Sequence, residues 1–178
     1  WLNIGRAGGD EFDYMTTFTS DAASMKKYFS EHVDNDHPCA LQENYWRQGD
    51  SAVTLIRTKN GVVITLRLDW VSSRPHNMTH YALQGTKGAY LSPRHHKEDP
   101  LVWIENLSYG RSEHLPGQPH AEWESLWVHT EQYEHPLWKQ WIKTAQEAGH
   151  GGGDFFVIDE FVSAILEQRR PAIDVYDA

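Results

Sequence analysis

Between Asp21 and His32 the apolar residues Ala22, Met25, Tyr28 and Phe29 recur at helical spacing, and Ser20 just before them offers a capping oxygen. A helix over Asp21 to His32 is therefore expected. The next stretch, Val33 to Gln42, carries Asn35, Asp36 and Pro38 and reads as a loop. From Ser51 the period changes to β: AVTLIRT, then Lys59-Asn60-Gly61, then VVITLRLDW. Asn-Gly between two β-branched runs predicts a hairpin closed by a type I′ turn, which needs positive φ at both central residues. Further strands are expected over His76 to Gln84, Ala89 to Ser92 and Leu101 to Glu105, with Gly85-Thr86-Lys87-Gly88 as a tight turn. Strands joined in sequence by short turns pair antiparallel, so about five of them should form one open sheet from Ser51 to Glu105.

The second half returns to the helical period. His114 to His120, with Pro116, Gly117 and Pro119, is a loop, and Ala121 to Val128 is a short segment of helical character. Pro136 suits the first turn of a helix running to Ala148, with Leu137, Trp138, Trp141, Ile142 and Ala145 on one face and Gly149 as its stop. Phe155, Ile158, Phe161, Val162, Ile165 and Leu166 mark a last helix, Phe155 to Gln168. The predicted class is α+β: an open antiparallel sheet with helices packed on one face. A chain of 178 residues suits one domain, here 1–178.

Composition narrows the function. A net charge of −9 argues against nucleic acid or an anionic membrane surface as partner, and no apolar run reaches transmembrane length. No signal peptide opens the chain, and the single cysteine, Cys39, allows neither an internal disulfide nor a cysteine zinc site, so the compartment stays open. The 8 Trp, 8 Tyr and 11 His point elsewhere. Flat rings stack on the C–H faces of sugars and imidazoles hydrogen-bond hydroxyls, which suggests a carbohydrate ligand. Histidine spacing does not suggest a metal: His95 and His96 are adjacent, and neither His76/His80 nor His114/His120 brings a third ligand. There is no GxSxG elbow and no GxGxxG fingerprint.

The stretch that demands an explanation is Gly149 to Asp154, GHGGGD. Glycine loses more backbone entropy on folding than any other residue, and in return allows positive φ and close approach to another molecule. Here the glycines flank a histidine and lead into a helix, whose positive end would lie beside it. His150, with Gly151 and Gly152, is expected to border a ligand pocket.

The string LIRTKNGVVITLRLDWVSSRPHNMTHYALQGTKGAY, with GHGGGDFFVIDEFVSAI and the terminal DVYDA, resembles the C-terminal domain of the Gfo/Idh/MocA oxidoreductases, and within them most closely glycoside hydrolase family 109. The elements IRT-NG, RP, GTKG, GHGG and VYDA come in the right order over nearly the whole chain. The resemblance implies an α-N-acetylgalactosaminidase that uses tightly held NAD to oxidise the sugar at C3, acidifying the C2 proton for elimination, hydration and return of the hydride. No carboxylate pair across the bond is then needed. It also implies that an N-terminal Rossmann domain, outside this chain, holds the NAD and supplies the base. The matching positions are Arg74, Tyr90, His150 with Gly151 and Gly152, and Tyr176. Tyr90 and His150 are expected to act on sugar hydroxyls or the leaving group, and Arg74, Gly151, Gly152 and Tyr176 to bind substrate. His76 stands where the family often has Tyr and so bears on substrate choice, while Gly153 replaces a larger apolar residue. The free sheet face should pair with a second subunit, as in that family. These 178 residues alone are expected to be catalytically silent and not to bind NAD. A sugar or polyol dehydrogenase domain and a non-catalytic carbohydrate-binding module remain the other readings.

Overall fold

Two antiparallel sheets, rather than one, carry the strands of this α+β chain. The computed structural model describes residues 2–6, 8–33, 36–38, 46–71, 75, 80–110, 116–117 and 119–174. They fall into two compact units, Trp1–Pro75 with Ile173–Ala178, and His76–Ala172. None of the described helices is long and apolar enough to cross a membrane.

The first unit is built on the sheet β1-β2-β3, with β1 Phe12–Thr19, β2 Ser51–Thr58 and β3 Val63–Asp69. β1 was not expected: Gly8-Gly9-Asp10 and Ser20-Asp21 bound it, but FDYMTTFT places Tyr14 and Met15 side by side and breaks the strict alternation of a half-buried strand. It pairs with β2 from Phe12↔Thr58 to Thr19↔Ala52, with a bulge between Phe12 and Tyr14. The register places Ala52, Thr54, Ile56 and Thr58 on one face of β2, and these are buried or half-buried. Phe18, Val53, Leu55 and Val63 are exposed on the other face, with Tyr14 beside Arg57, and on the first face the flanking strands leave Met15, Leu66 and Leu68 exposed.

The β2–β3 hairpin forms where predicted, but not with the predicted turn. Gly61 donates to the Thr58 carbonyl at 3.0 Å and takes φ 89°, whereas Asn60 is not in the positive-φ region. This is a right-handed turn followed by a glycine bulge, the usual three-residue alternative to type I′. Its geometry is tied down by Asp10, whose Oδ1 accepts from the Asn60 and Glu11 amides at 3.1 and 2.8 Å. Helix α1 spans Ser24–His32, three residues shorter at its start than Asp21. Its cap comes from far along the chain: Asp50 Oδ2 accepts from the Ala23 and Ser24 amides at 3.1 and 2.9 Å and from the Ser24 hydroxyl at 2.9 Å. Ser20, the expected cap, instead accepts from the Ser51 amide.

In the second unit β4 Ala82–Gln84, β5 Gly88–Leu91, β6 Leu101–Ile104 and β7 Glu124–Ser125 form a meander in that order. The Gly85–Gly88 turn is closed by a 2.8 Å bond from the Gly85 amide to the Gly88 carbonyl. The third strand is shorter than His76 to Gln84, and 76–79 lie outside the described residues. The segment expected to be helical, Ala121 to Val128, instead pairs as β7 with β6 and then makes the 3₁₀ turn Leu126–His129. Three helices follow: α2 Thr130–Tyr133, α3 Pro136–Ala145 and α4 Gly153–Leu166. Trp138 meets Phe156 and Trp141 meets Phe155, at ring separations of 5.1 and 5.9 Å, and Ala145 is fully buried.

Candidate functional site

The loop between α3 and α4 is where the glycine-rich stretch takes its shape. Pro136 starts α3 as its first-turn proline, and His135 caps it by accepting from the Leu137 amide at 3.2 Å. The helix stops earlier than Ala148, with Gln146 as its cap, and Gly149 at φ −64° is not the left-handed stop expected of it. Left-handed backbone comes later and in succession: His150 at φ 52°, Gly151 at 67° and Gly152 at 103°. Gly152 must be glycine twice over, because a Cβ there would also stand 3.0 Å from Trp138 Cη2 and 3.1 Å from the Ala145 carbonyl oxygen. α4 then begins at Gly153, with Asp154 in its first turn.

The turn presents the His150 side chain, 74% exposed, with its Nδ1 3.0 Å from both Oδ1 and Oδ2 of Asp154. A histidine in left-handed backbone costs about 1–2 kcal/mol relative to the right-handed form, and such outliers gather at functional positions. The pairing with Asp154 went unpredicted. Helical spacing could not have found it, because the backbone from His150 to Gly152 is left-handed and only the turn returns Asp154 to the ring.

Tyr90 lies on β5, half-buried, directly between Leu83 of β4 and Val102 of β6. Val102 pairs in turn with Glu124 of β7, so Tyr90 and Glu124 share a sheet face, about 10 Å apart at two strand spacings. Glu124 Oε2 lies 3.1 Å from His129 Nε2, and both side chains are mostly covered. Hydrogen bonds from the Ser108 hydroxyl, and then from His129, hold the Glu124 carboxyl below the ordinary carboxylate range. This acid–imidazole pair was not singled out from sequence, where the two residues carry no motif. Among the described residues, no hydrogen bond, ion pair or ring contact joins Tyr90 to the His150 turn: β5 neighbours β4 and β6, and the turn neighbours α3 and α4. Arg74, His76 and Tyr176, the remaining expected site residues, lie outside the described residues. No three His, Cys, Asp or Glu side chains converge among those described.

Residues 1–178 match the family described as Glycosyl hydrolase 109, C-terminal domain. The chain belongs to that family. A glycosyl hydrolase family 109 protein of Stenotrophomonas maltophilia is 34% identical over 96% of this chain and 34% of its own length. One of Solibacter usitatus is 33% identical over 100% of this chain and 36% of its own. A Shewanella oneidensis protein named alpha-N-acetylgalactosaminidase is 30% identical over 99% of this chain and 35% of its own. The chain thus spans about a third of the length of these relatives, and the glycosyl hydrolase 109 resemblance read from RP, GTKG, GHGG and VYDA holds across all of it.

Proposed function

We propose that this chain is the sugar-side part of a glycosidase acting on α-linked N-acetylgalactosaminides. The observation that carries the reading is the glycine turn that exposes His150 in left-handed backbone at the head of α4. The Shewanella oneidensis relative, named alpha-N-acetylgalactosaminidase, supports the substrate class. In this reading His150 contacts a sugar hydroxyl or the leaving oxygen and moves a proton there. Tyr90, on β5, is the second residue assigned to sugar contact, while the substrate roles of Arg74, His76 and Tyr176 rest on the family match alone.

NAD is the cofactor of the proposed parent enzyme. The described residues do not fit its pyrophosphate, which sits on a glycine-rich turn from a strand into a helix; the His150 turn instead joins two helices, and both sheets are antiparallel. With the family match, this assigns NAD in our reading to a part of the parent outside these 178 residues, where it would supply oxidation chemistry. What this chain does is bind, orient and exchange protons with the sugar. The face of β1-β2-β3 with Phe18, Val53, Leu55 and Val63 is where a second copy would pair. Gel filtration of the parent tests that pairing, and a strict monomer at high concentration counts against it.

The deciding experiment assays the full-length parent on a panel of nitrophenyl glycosides, with and without added NAD. Release of nitrophenol from the α-N-acetylgalactosaminide, slowed about 100-fold or more by His150→Ala without a fall in melting temperature, is the expected result. Net reduction of NAD by free sugar, with no glycoside cleaved, would assign a dehydrogenase instead. Sugar binding without turnover would assign a binding module.

A further inference from the structure

We propose that Asp154 is the positioning residue of His150, gripping Nδ1 so that Nε2 is the ring nitrogen offered to the sugar. This rests on the assignment of His150 to the sugar site. Both carboxylate oxygens of Asp154 lie 3.0 Å from Nδ1. An ionised carboxylate only accepts, so Nδ1 is the N–H that donates, and in the neutral ring the lone pair is left on Nε2. Any proton exchanged with a sugar oxygen then moves at Nε2, while the Nδ1 proton stays on the ring, donated to Asp154.

The loop is shaped around this grip. Gly149 has φ −64°, a conformation open to every residue, so its backbone does not explain the glycine. Space does: a Cβ on Gly149 would run into Asp154 Oδ2 and come within 3.4 Å of Cγ. The carboxylate is seated over the Gly149 Cα, and His150 is the next residue. The left-handed turn through Gly151 and Gly152 then brings α4 round so that Asp154, in its first turn, faces back to the ring. Stability gives no adequate reason for the arrangement, since the two side chains are 74% and 53% exposed and an ion pair that open contributes little to folding. Orientation of the imidazole does, as a carboxylate hydrogen-bonded behind a working histidine fixes its tautomer and angle.

The test uses the full-length parent on the best glycoside of the panel, with melting temperature measured for each variant. Asp154→Asn is expected to lower kcat about 10- to 100-fold with KM within about twofold and melting unchanged. Added to His150→Ala, it should cause no further loss, because Asp154 acts through His150. Gly149→Ala keeps both side chains but displaces the carboxylate, and should reproduce the kcat loss even if Asp154→Asn folds poorly. Asp154→Glu should recover part of it. If His150→Ala loses turnover while Asp154→Asn and Gly149→Ala keep kcat within twofold, the positioning role is overturned and the sugar-site reading survives. Additive losses in the double variant also overturn it. Wild-type turnover in His150→Ala sinks the sugar-site reading itself.

Discussion

Gly151 and Gly152 are adjacent, both left-handed, and should respond very differently to the same substitution. At Gly151, φ 67° lies where an L-residue can sit, and an added Cβ would meet nothing within 4 Å. Gly151→Ala should therefore cost about 1–2 kcal/mol, the ordinary left-handed penalty. At Gly152, φ 103° is farther from the region open to alanine, and the Cβ would press on the Ala145 carbonyl at 3.1 Å and on Trp138 Cη2 at 3.0 Å. The carbonyl belongs to the last turn of α3, and the indole is already packed against Phe156, so neither gives way freely. Backbone strain of about 1–3 kcal/mol and overpacking of about 1–3 kcal/mol together suggest a loss of about 2–6 kcal/mol for Gly152→Ala. Denaturant unfolding of the two variants in the same full-length background isolates the difference, since the unchanged parts of the protein cancel. Hydrogen exchange across 146–156 should show the opening to be local to the α3–α4 junction. Equal losses at the two positions, or a larger one at Gly151, would refute the close packing described for this turn.

Acid should loosen two clasps in the second unit. Hydrogen bonds from Arg94 hold Glu98 at about 2, and those from Arg169, joined by the Ala172 amide, hold Glu160 at about 2. Carboxyls depressed on folding contribute stability that is complete above their ordinary value near 4.5 and lost as pH falls toward 2. Arg169→Met should flatten that part of an acid titration followed by circular dichroism, and an unchanged curve would dismiss the clasp. In the first unit Asp50→Ala should cost about 1 kcal/mol by uncapping α1, with Asp50→Asn retaining most of it; unfolding that ranks the two alike would count against the cap. Calorimetric titration of the 178-residue chain with NAD should give no heat, and tight binding would overturn the assignment of the cofactor to another part of the parent.

Local chemistry was enough for some of this structure. Alternating AVTLIRT and VVITLRLDW around Asn60-Gly61 forms a hairpin in any register that keeps Ala52, Thr54 and Ile56 together, and Pro136 opens a helix because its ring presets φ and its missing N–H costs nothing there. The GHGGGD stretch announced a special backbone by its composition alone, and its left-handed run is what that composition permits. Long-range partners decided the rest. The cap of α1 is Asp50, reached across 26 residues, so no local reading could prefer it to Ser20. The turn at Gly61 follows from Asp10 holding the Asn60 amide, a contact made by a residue 50 positions away. Strand partition into two sheets depends on which edges meet, and the hydrophobic period is identical either way. The last helix shows the limit most clearly. Phe155, Phe156, Val157, Ile158, Phe161, Val162, Ile165 and Leu166 surround it with apolar groups, yet α3 meets it at Phe155 and Phe156, and Ile158, Phe161 and Ile165 stay exposed. A period marks which residues can be buried; only the neighbouring element determines which of them are.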